Sequence, residues 1–251
     1  MGKERHPKSQ SDPFGLISDI DLARADSWQG KVFVTLDVDW APDFVIREVD
    51  EIIETLGIPA TWFITHKSDA VLQLFGRDQY DIGVHPNFAP LLQDPYKRFT
   101  ITEIVENARK LAPSAAAFRC HALVQSSHLL EQMQAAGFSV DCNVFLPYTP
   151  IPALSPWRHS EGLVRVPYCW EDDTWIAGRC RTPHEVTETV GMRVIDLHPI
   201  HLWLNSETLD RYQRVKENMD DERSLRLNQN KDSTNGVLVA FLKMVEDLSR
   251  K

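Results

Sequence analysis

Hydrophobic positions set out a series of short elements from about residue 31 onward. Upstream, residues 1–13 are polar and contain Pro7 and Pro13, the composition of a flexible N-terminal tail. Residues 14–28 read as a short lead-in that packs on the domain. The β-branched, apolar run K-V-F-V-T-L-D-V predicts a strand over about 31–38. From Asp43 to Leu56, Val45, Ile46, Val49, Ile52, Ile53 and Leu56 recur at helical spacing, with Asp43 placed as N-cap and Gly57 as C-cap. A-T-W-F-I-T predicts a second strand ending at His66, then a short helix over 68–75. Y-D-I-G-V-H predicts a third strand over 80–85. A long loop containing Pro86, Pro90 and Pro95 comes next.

Further on, residues 100–111 read as a helix and 115–119 as a fourth strand. Gln125 to Ala136 reads as a helix closed by Gly137, and 138–141 as a short strand. Residues 143–162 hold four prolines without a period and read as an irregular insertion. Strands are predicted over 163–168 and 192–197. Residues 206–251 read as a helical extension whose last helix starts near Asn235. Its stripe of Val237, Leu238, Phe241, Leu242, Val245 and Leu248 is expected to pack on the rest. Alternating strands and helices predict an α/β fold with a parallel sheet, as one domain over 14–251. In barrels of this class, the C-terminal ends of the strands line the active site. Asp37, Asp39, His85, Arg119 and His198 all fall at predicted strand ends.

Composition narrows the functional classes. The net charge of −9 and pI near 5.5 argue against nucleic acid, whose binding rests on Lys and Arg neutralising phosphates. No apolar run approaches the length of a membrane span, and the N-terminus has no apolar signal segment, which predicts a cytoplasmic protein. Met1-Gly2 is not a myristoylation signal, because residue 6 is His where that motif wants Ser or Thr. Cys120, Cys142, Cys169 and Cys180 show neither metal-knuckle nor disulfide spacing and are expected as free thiols. Nothing in the sequence sets the oligomeric state.

The chemistry-bearing stretches are short. In T-L-D-V-D-W, Asp37 and Asp39 are one residue apart at a strand end, so in extended chain both carboxylates leave on one face. Two such charges are costly unless a cation or proton sits between them. That arrangement suits a metal ligand beside a general base, and it also suits an Asp-rich turn. Trp40 comes directly after and is placed with substrate contacts. In D-I-G-V-H-P-N-F, Pro86 holds His85 extended, so His85 and Asn87 share a face. They read as a metal-binding imidazole and a weaker carbonyl ligand, or as a loop histidine and an Asx-turn. F-R-C-H offers Arg119 as the partner of a carboxylate, at a site or in a structural ion pair, and His121 as a pocket-lining or a packed residue. Y-C-W-E-D-D-T-W sets Trp170 and Trp175 around three acids, a composition of sugar sites and of surface turns. D-L-H-P-I-H offers His198 as a general acid and His201 as a second pocket residue.

In order and spacing these motifs resemble the NodB-type polysaccharide deacetylases, carbohydrate esterase family four, from about residue 31 to 205. The nearest likeness is to divergent members of bacterial O-antigen and capsule clusters. T-L-D-V-D is similar to the family's T-F-D-D, which implies Asp37 as general base and Asp39 as metal ligand. A-T-W-F-I-T resembles A-T-F-F. G-V-H-P-N-F stands at the histidine metal motif, implying His85 as ligand. F-R-C-H stands at the R-x-P-Y-G motif, implying Arg119 as partner of the base. W-E-D-D-T-W resembles the Asp/Trp motif, implying Asp173, or its neighbour Asp172, as the carboxylate that orients the acid. D-L-H-P implies His198 as that acid. The resemblance implies a distorted (β/α) barrel of seven or eight strands, here with extra C-terminal helices. It also implies a divalent metal, zinc first with manganese, cobalt or nickel as alternatives, and an N-acylated sugar substrate.

The chain departs from the family at Ala89, where the second metal histidine belongs, and in lacking Pro-Tyr-Gly after Arg119. The third ligand is therefore expected from Asn87, from His121 or from solvent, with Asn87 assigned to the metal. The expected activity is hydrolysis of a sugar N-acetyl amide in surface polysaccharide synthesis. The alternatives are a degenerate glycan-binding or scaffold protein, and a deformylase or cyclic-amide hydrolase on the same barrel.

Overall fold

The chain opens with a two-residue strand, β1 (Phe14–Gly15), paired in parallel with the start of β2 (Val32–Asp37). Every residue of β2 is buried, as expected for a parallel strand covered on both faces. The computed structural model describes residues 13–93, 99–150, 153–188 and 190–250. The tail expected over 1–13 lies outside them except for Pro13, as does Pro95 of the expected long loop.

From β2 the chain alternates: α1 (Asp43–Leu56), β3 (Ala60–Ile64), α2 (Asp69–Leu74), β4 (Tyr80–Val84), α3 (Ala89–Gln93), α4 (Ile101–Leu111), β5 (Ala117–Phe118), α5 (Ser127–Ala135), β6 (Val140–Asp141). Next come β7 (Trp157–Ser160), β8 (Leu163–Arg165), β9 (Trp170–Glu171), α6 (Asp172–Ile176), α7 (Pro183–Thr187), β10 (Arg193–Leu197) and α8 (Pro199–Leu204). Three helices close the chain: α9 (Leu209–Gln213), α10 (Glu222–Leu227) and α11 (Val237–Ser249). The sheet order is β7-β8-β6-β5-β4-β3-β2-β10-β9, parallel throughout except for the β7–β8 pair. No ladder among the described residues joins β7 to β9, so the curled sheet is a half-barrel flanked by helices.

Several local expectations change. The α1 bounds agree with the periodicity, and Gly57 takes the left-handed C-cap conformation at φ 65°. The N-cap is Pro42, however, and Asp43 stands in the first turn, where its carboxylate accepts from Ala70 N–H and pairs with Arg47. The loop expected after His85 holds α3. The insertion over 143–162 is not wholly irregular: its end forms β7, whose exposed residues hid the strand pattern. The strand at 115–119 is only Ala117–Phe118. On α11, Leu242 is exposed, while Met244 joins Phe241, Val245 and Leu248 in the core, so the stripe does face inward. All four cysteines are free. Among the described residues, no helix is long and apolar enough to cross a membrane.

Gly83 shows how tightly the sheet packs beneath the strand ends. It pairs with Phe63 across β3 and β4. A Cβ at Gly83 would lie 2.5 Å from Phe63 Cδ1, within a ring that is fully buried. A glycine inside a strand commonly marks such a close approach. Gly83→Ala is expected to cost about 1–3 kcal/mol through overpacking, read as a lower denaturant midpoint. An unchanged midpoint would show that the ring has room to move.

Candidate active site

The strand order places the C-terminal ends of β5, β4, β3, β2, β10 and β9 side by side. Arg119 follows β5, His85 follows β4, Asp37 ends β2, Asp39 lies just beyond it, His198 follows β10 and Glu171 ends β9. Arg119 is fully buried and reaches across the sheet end. Its Nη1 donates to Asp37 Oδ1 at 2.9 Å and to Asp196 Oδ1. Its Nη2 donates to Thr35 Oγ1 at 3.0 Å and its Nε to the Cys142 carbonyl at 3.2 Å. The rings of Phe63 and Tyr168 each lie 4.6 Å from the guanidinium carbon. Burial alone would lower the Arg119 pKa, but the charges of Asp196 and Asp37 outweigh it and hold the guanidinium charged. Burial raises the Asp196 carboxyl above its usual range, and the Arg119 charge opposes that rise.

Asp37 and Asp39 do come together, but not by the extended geometry expected. The strand ends at Asp37, and Asp39 and Trp40 turn into the left-handed region at φ 44° and 57°. Both carboxylates then meet His85, with Asp37 Oδ2 3.4 Å from Nδ1 and Asp39 Oδ1 3.1 Å from Nε2. His121 Nδ1 lies 2.9 Å from the same Asp39 oxygen and 3.3 Å from His85 Nε2. Burial raises the Asp39 pKa, yet the contacts with His121 and His85 prevail and hold the carboxyl far below the usual range. The contact with Asp39 in turn raises His121.

The residues present fit a divalent metal. Asp39, His85 and His121 each turn one donor atom to a common point, with separations of 2.9–3.3 Å. Donors around tetrahedral zinc at about 2.0–2.1 Å stand roughly 3.3–3.4 Å apart. Asn87 has a hydrogen bond of its own. Its Oδ1 accepts from Ala89 N–H at 3.0 Å, the Asx-turn arrangement, at the start of α3. His121, expected as pocket lining, stands among the metal-type donors and is a candidate third ligand beside the Asn87 expected from the sequence.

His198 is oriented by Asp172, not by Asp173. Its Nδ1 lies 2.7 Å from Asp172 Oδ1, and its backbone N–H donates to Asp172 Oδ2 at 2.8 Å. Asp172 is fully buried, whereas the Asp173 carboxylate accepts from the Thr174 hydroxyl at 3.1 Å. His198 Nε2 is left facing Asp39 Oδ2 at 3.7 Å. Burial lowers the His198 pKa, but the Asp172 charge and hydrogen bond carry it well above its usual range.

Of the aromatic candidates, Trp40 is 46% exposed and stands edge-on to His121 at 5.1 Å between ring centroids. Trp170 is fully buried, and its indole N–H donates to the Arg181 carbonyl, so it has no face for a sugar. Trp175 lines a different cavity, with His184, Lys243 and Met244, that none of the clustered residues enters. His201 is buried behind His198, its Nδ1 3.1 Å from Ser206 Oγ, and burial lowers its pKa. It supports the site and does not line it.

Three residues here escaped sequence reasoning. Asp196 precedes His198 by two positions, the same spacing as Asp37 and Asp39, and that signal was available. Glu171 ends β9, and burial beside Asp173 pushes it up to about 7. Tyr212 on α9 packs against His201 at 5.1 Å and had no motif to announce it.

The chain is similar to known proteins. A family model described as WbmS-like polysaccharide deacetylase matches residues 34–216. The chain belongs to the WbmS-like polysaccharide deacetylases. A solved structure from Bordetella bronchiseptica, assigned as a polysaccharide deacetylase involved in O-antigen biosynthesis (WbmS), is 33% identical, with a TM-score of 0.86 over 95% of this chain and 99% of that one. A structure from Mycobacterium smegmatis assigned as a polysaccharide deacetylase overlaps more loosely, at 16% identity and TM-score 0.46 over 67% and 76% of the two chains. No curated protein matches the sequence. The resemblance read from the motifs is borne out, and the curled α/β sheet with it.

Within this WbmS-like deacetylase fold, removal of Arg119 would leave Asp37 and Asp196 buried together without their cation. Arg119→Met is expected to destabilise the protein by about 3–5 kcal/mol in denaturant unfolding. Adding Asp196→Leu should recover part of that loss by removing one of the stranded carboxylates. A single variant as stable as the native chain would contradict this electrostatic account.

Proposed function

We propose that the protein is a metal-dependent hydrolase that removes the N-acetyl group from a sugar used in surface polysaccharide synthesis. One observation carries this reading: a carboxylate held by a buried arginine and a histidine held by a buried aspartate both abut one cluster of metal-type donors. Asp37 touches that cluster through His85, and His198 touches it through Asp39.

Asp39, His85 and His121 are the residues that would hold the metal, and two imidazoles with one carboxylate suit zinc above the other candidates. When bound, the metal supplies Lewis acidity, polarising an amide carbonyl and making water a better nucleophile. The chain's own groups divide the proton transfers. Asp37 accepts the proton of the attacking water, and Arg119 keeps its carboxylate in place. His85 Nδ1 lies 3.4 Å from Asp37 Oδ2 without hydrogen bonding to it, so Nε2 is the nitrogen turned towards the other donors. Asp172 holds His198 at Nδ1, so Nε2 presents the proton that the departing amine needs. Trp40 offers an exposed ring beside His121 for the apolar face of a sugar.

An amide is favoured over an ester as the scissile bond because an amine leaving group requires a donor such as His198. Retention of an oriented base and an oriented acid separates this reading from that of a passive glycan-binding protein. Formyl substrates are distinguished by comparing formate with acetate release from matched N-acyl sugars, and cyclic amides by ring opening with release of neither acid.

Asp37→Asn should lower acetate release by about 10²–10⁴-fold, the usual contribution of a positioned base, while zinc content stays near native. Near-native turnover in that variant would remove Asp37 from the role of base.

A further inference from the structure

Asn143 lies outside every motif in the sequence, yet it is 1% exposed and its amide is bonded at both ends. Its Oδ1 accepts from Cys120 N–H at 2.6 Å, and its Nδ2 donates to Asp141 Oδ1 at 2.6 Å. Its own backbone N–H donates to that same oxygen at 2.8 Å. Asp141 is fully buried, and its second oxygen is in ion-pair contact with Arg165 Nε at 2.6 Å. Gln125 closes the group, donating to the Asn143 carbonyl at 3.0 Å and accepting from Arg165. The charge of this buried carboxylate is thus anchored on β6 and β8, and the chain after β5 hangs from it.

A second observation concerns that chain. Directly after His121, Ala122 and Leu123 both adopt left-handed backbone conformations, at φ 52° and 54°. Such conformations are costly without glycine and persist where the surroundings over-determine them. Here the constraints are visible. Cys120 N–H is taken by Asn143, and His121 N–H donates to the Pro86 carbonyl at 3.0 Å, next to His85. The residues on both sides of the Cys120–His121 peptide are thereby fixed, one to Asn143 just beyond β6 and one to the His85 segment.

We infer that Asn143, clamped by Asp141 and Arg165, is a positioning residue that sets where His121 Nδ1 stands relative to Asp39 and His85. The inference rests on the reading of His121 as a metal ligand. In this chain the third donor comes from the end of β5 instead of from the turn that holds Ala89. The network under Cys120 is what brings that donor within 2.9 Å of Asp39. Groups that orient a ligand typically govern metal affinity by 10–100-fold, and Asn143 acts through the backbone of Cys120, the residue before His121.

The test uses the full chain titrated with cobalt(II), followed by its visible absorption, beside denaturant unfolding of each variant. Native protein, His121→Ala, Asn143→Leu, Arg165→Met and the exchanged pair Asp141→Asn/Asn143→Asp are compared. Asn143→Leu should bind cobalt about 10–100-fold more weakly and shift the ligand-field bands. Arg165→Met should act in the same direction with a smaller effect. The exchanged pair restores an acceptor for Cys120 N–H and a bond between the two side chains, and should return the bands towards native. Native-like affinity and bands in folded Asn143→Leu would overturn the inference while leaving the metal reading intact, provided His121→Ala is impaired. If Asn143→Leu does not fold, Arg165→Met decides, and native-like bands there overturn it. A native chain that takes up no cobalt overturns both.

Discussion

A single buried guanidinium ties the fold to the chemistry. Arg119 leaves the end of β5, yet it bonds to Asp37 on β2 and to Asp196 on β10. In a flat sheet, β5 and β10 would be about 19 Å apart, four inter-strand spacings, beyond the reach of any side chain. The contact exists because the sheet curls, and the curl is held in part by the contact. A charge so deeply buried is tolerable only when opposite charge and hydrogen bonds surround it. Thr35, the Cys142 carbonyl and two aromatic faces complete that shell.

The rest of the site repeats this arrangement of an outer group held by a deeper one. Arg119 fixes Asp37, Asp172 fixes His198, and the Asp141–Asn143 pair fixes the turn bearing His121. The outermost groups remain the accessible ones, with Trp40 at the surface and Asp39 partly exposed. Buried partners of this kind pre-organise a site, because they leave the reacting atoms few alternative positions. They also explain why the strand ends are so polar in an otherwise apolar sheet.

Much of this was legible in the sequence because it is local. Strand-to-loop transitions at Asp37, His85, Arg119 and His198 follow from apolar runs that stop at polar residues. The α1 helix follows from periodicity, and the family from motif order. What was not legible depends on side chains meeting across the sheet. Neighbouring Asp172 and Asp173 are equivalent in sequence, and only the start of α6 turns one of them inward. Asn87 had two readings, and the Asx-turn with Ala89 is formed. Trp170 and Trp175 looked alike, but β9 buries the first and α6 carries the second to another cavity. Strand β7 was hidden because its exposed residues carry no alternation. Asn143 and Tyr212 carried no pattern at all, since their importance lies in partners distant along the chain.

The central claim is that Asp39, His85 and His121, without Asn87, make a metal centre between the base and the acid. Zinc content and affinity of the purified native chain, His121→Ala and Asn87→Ala test it most directly. The account predicts near-stoichiometric zinc in the native chain and in Asn87→Ala, and loss of most of it in His121→Ala. Zinc retained in His121→Ala and lost in Asn87→Ala would contradict it.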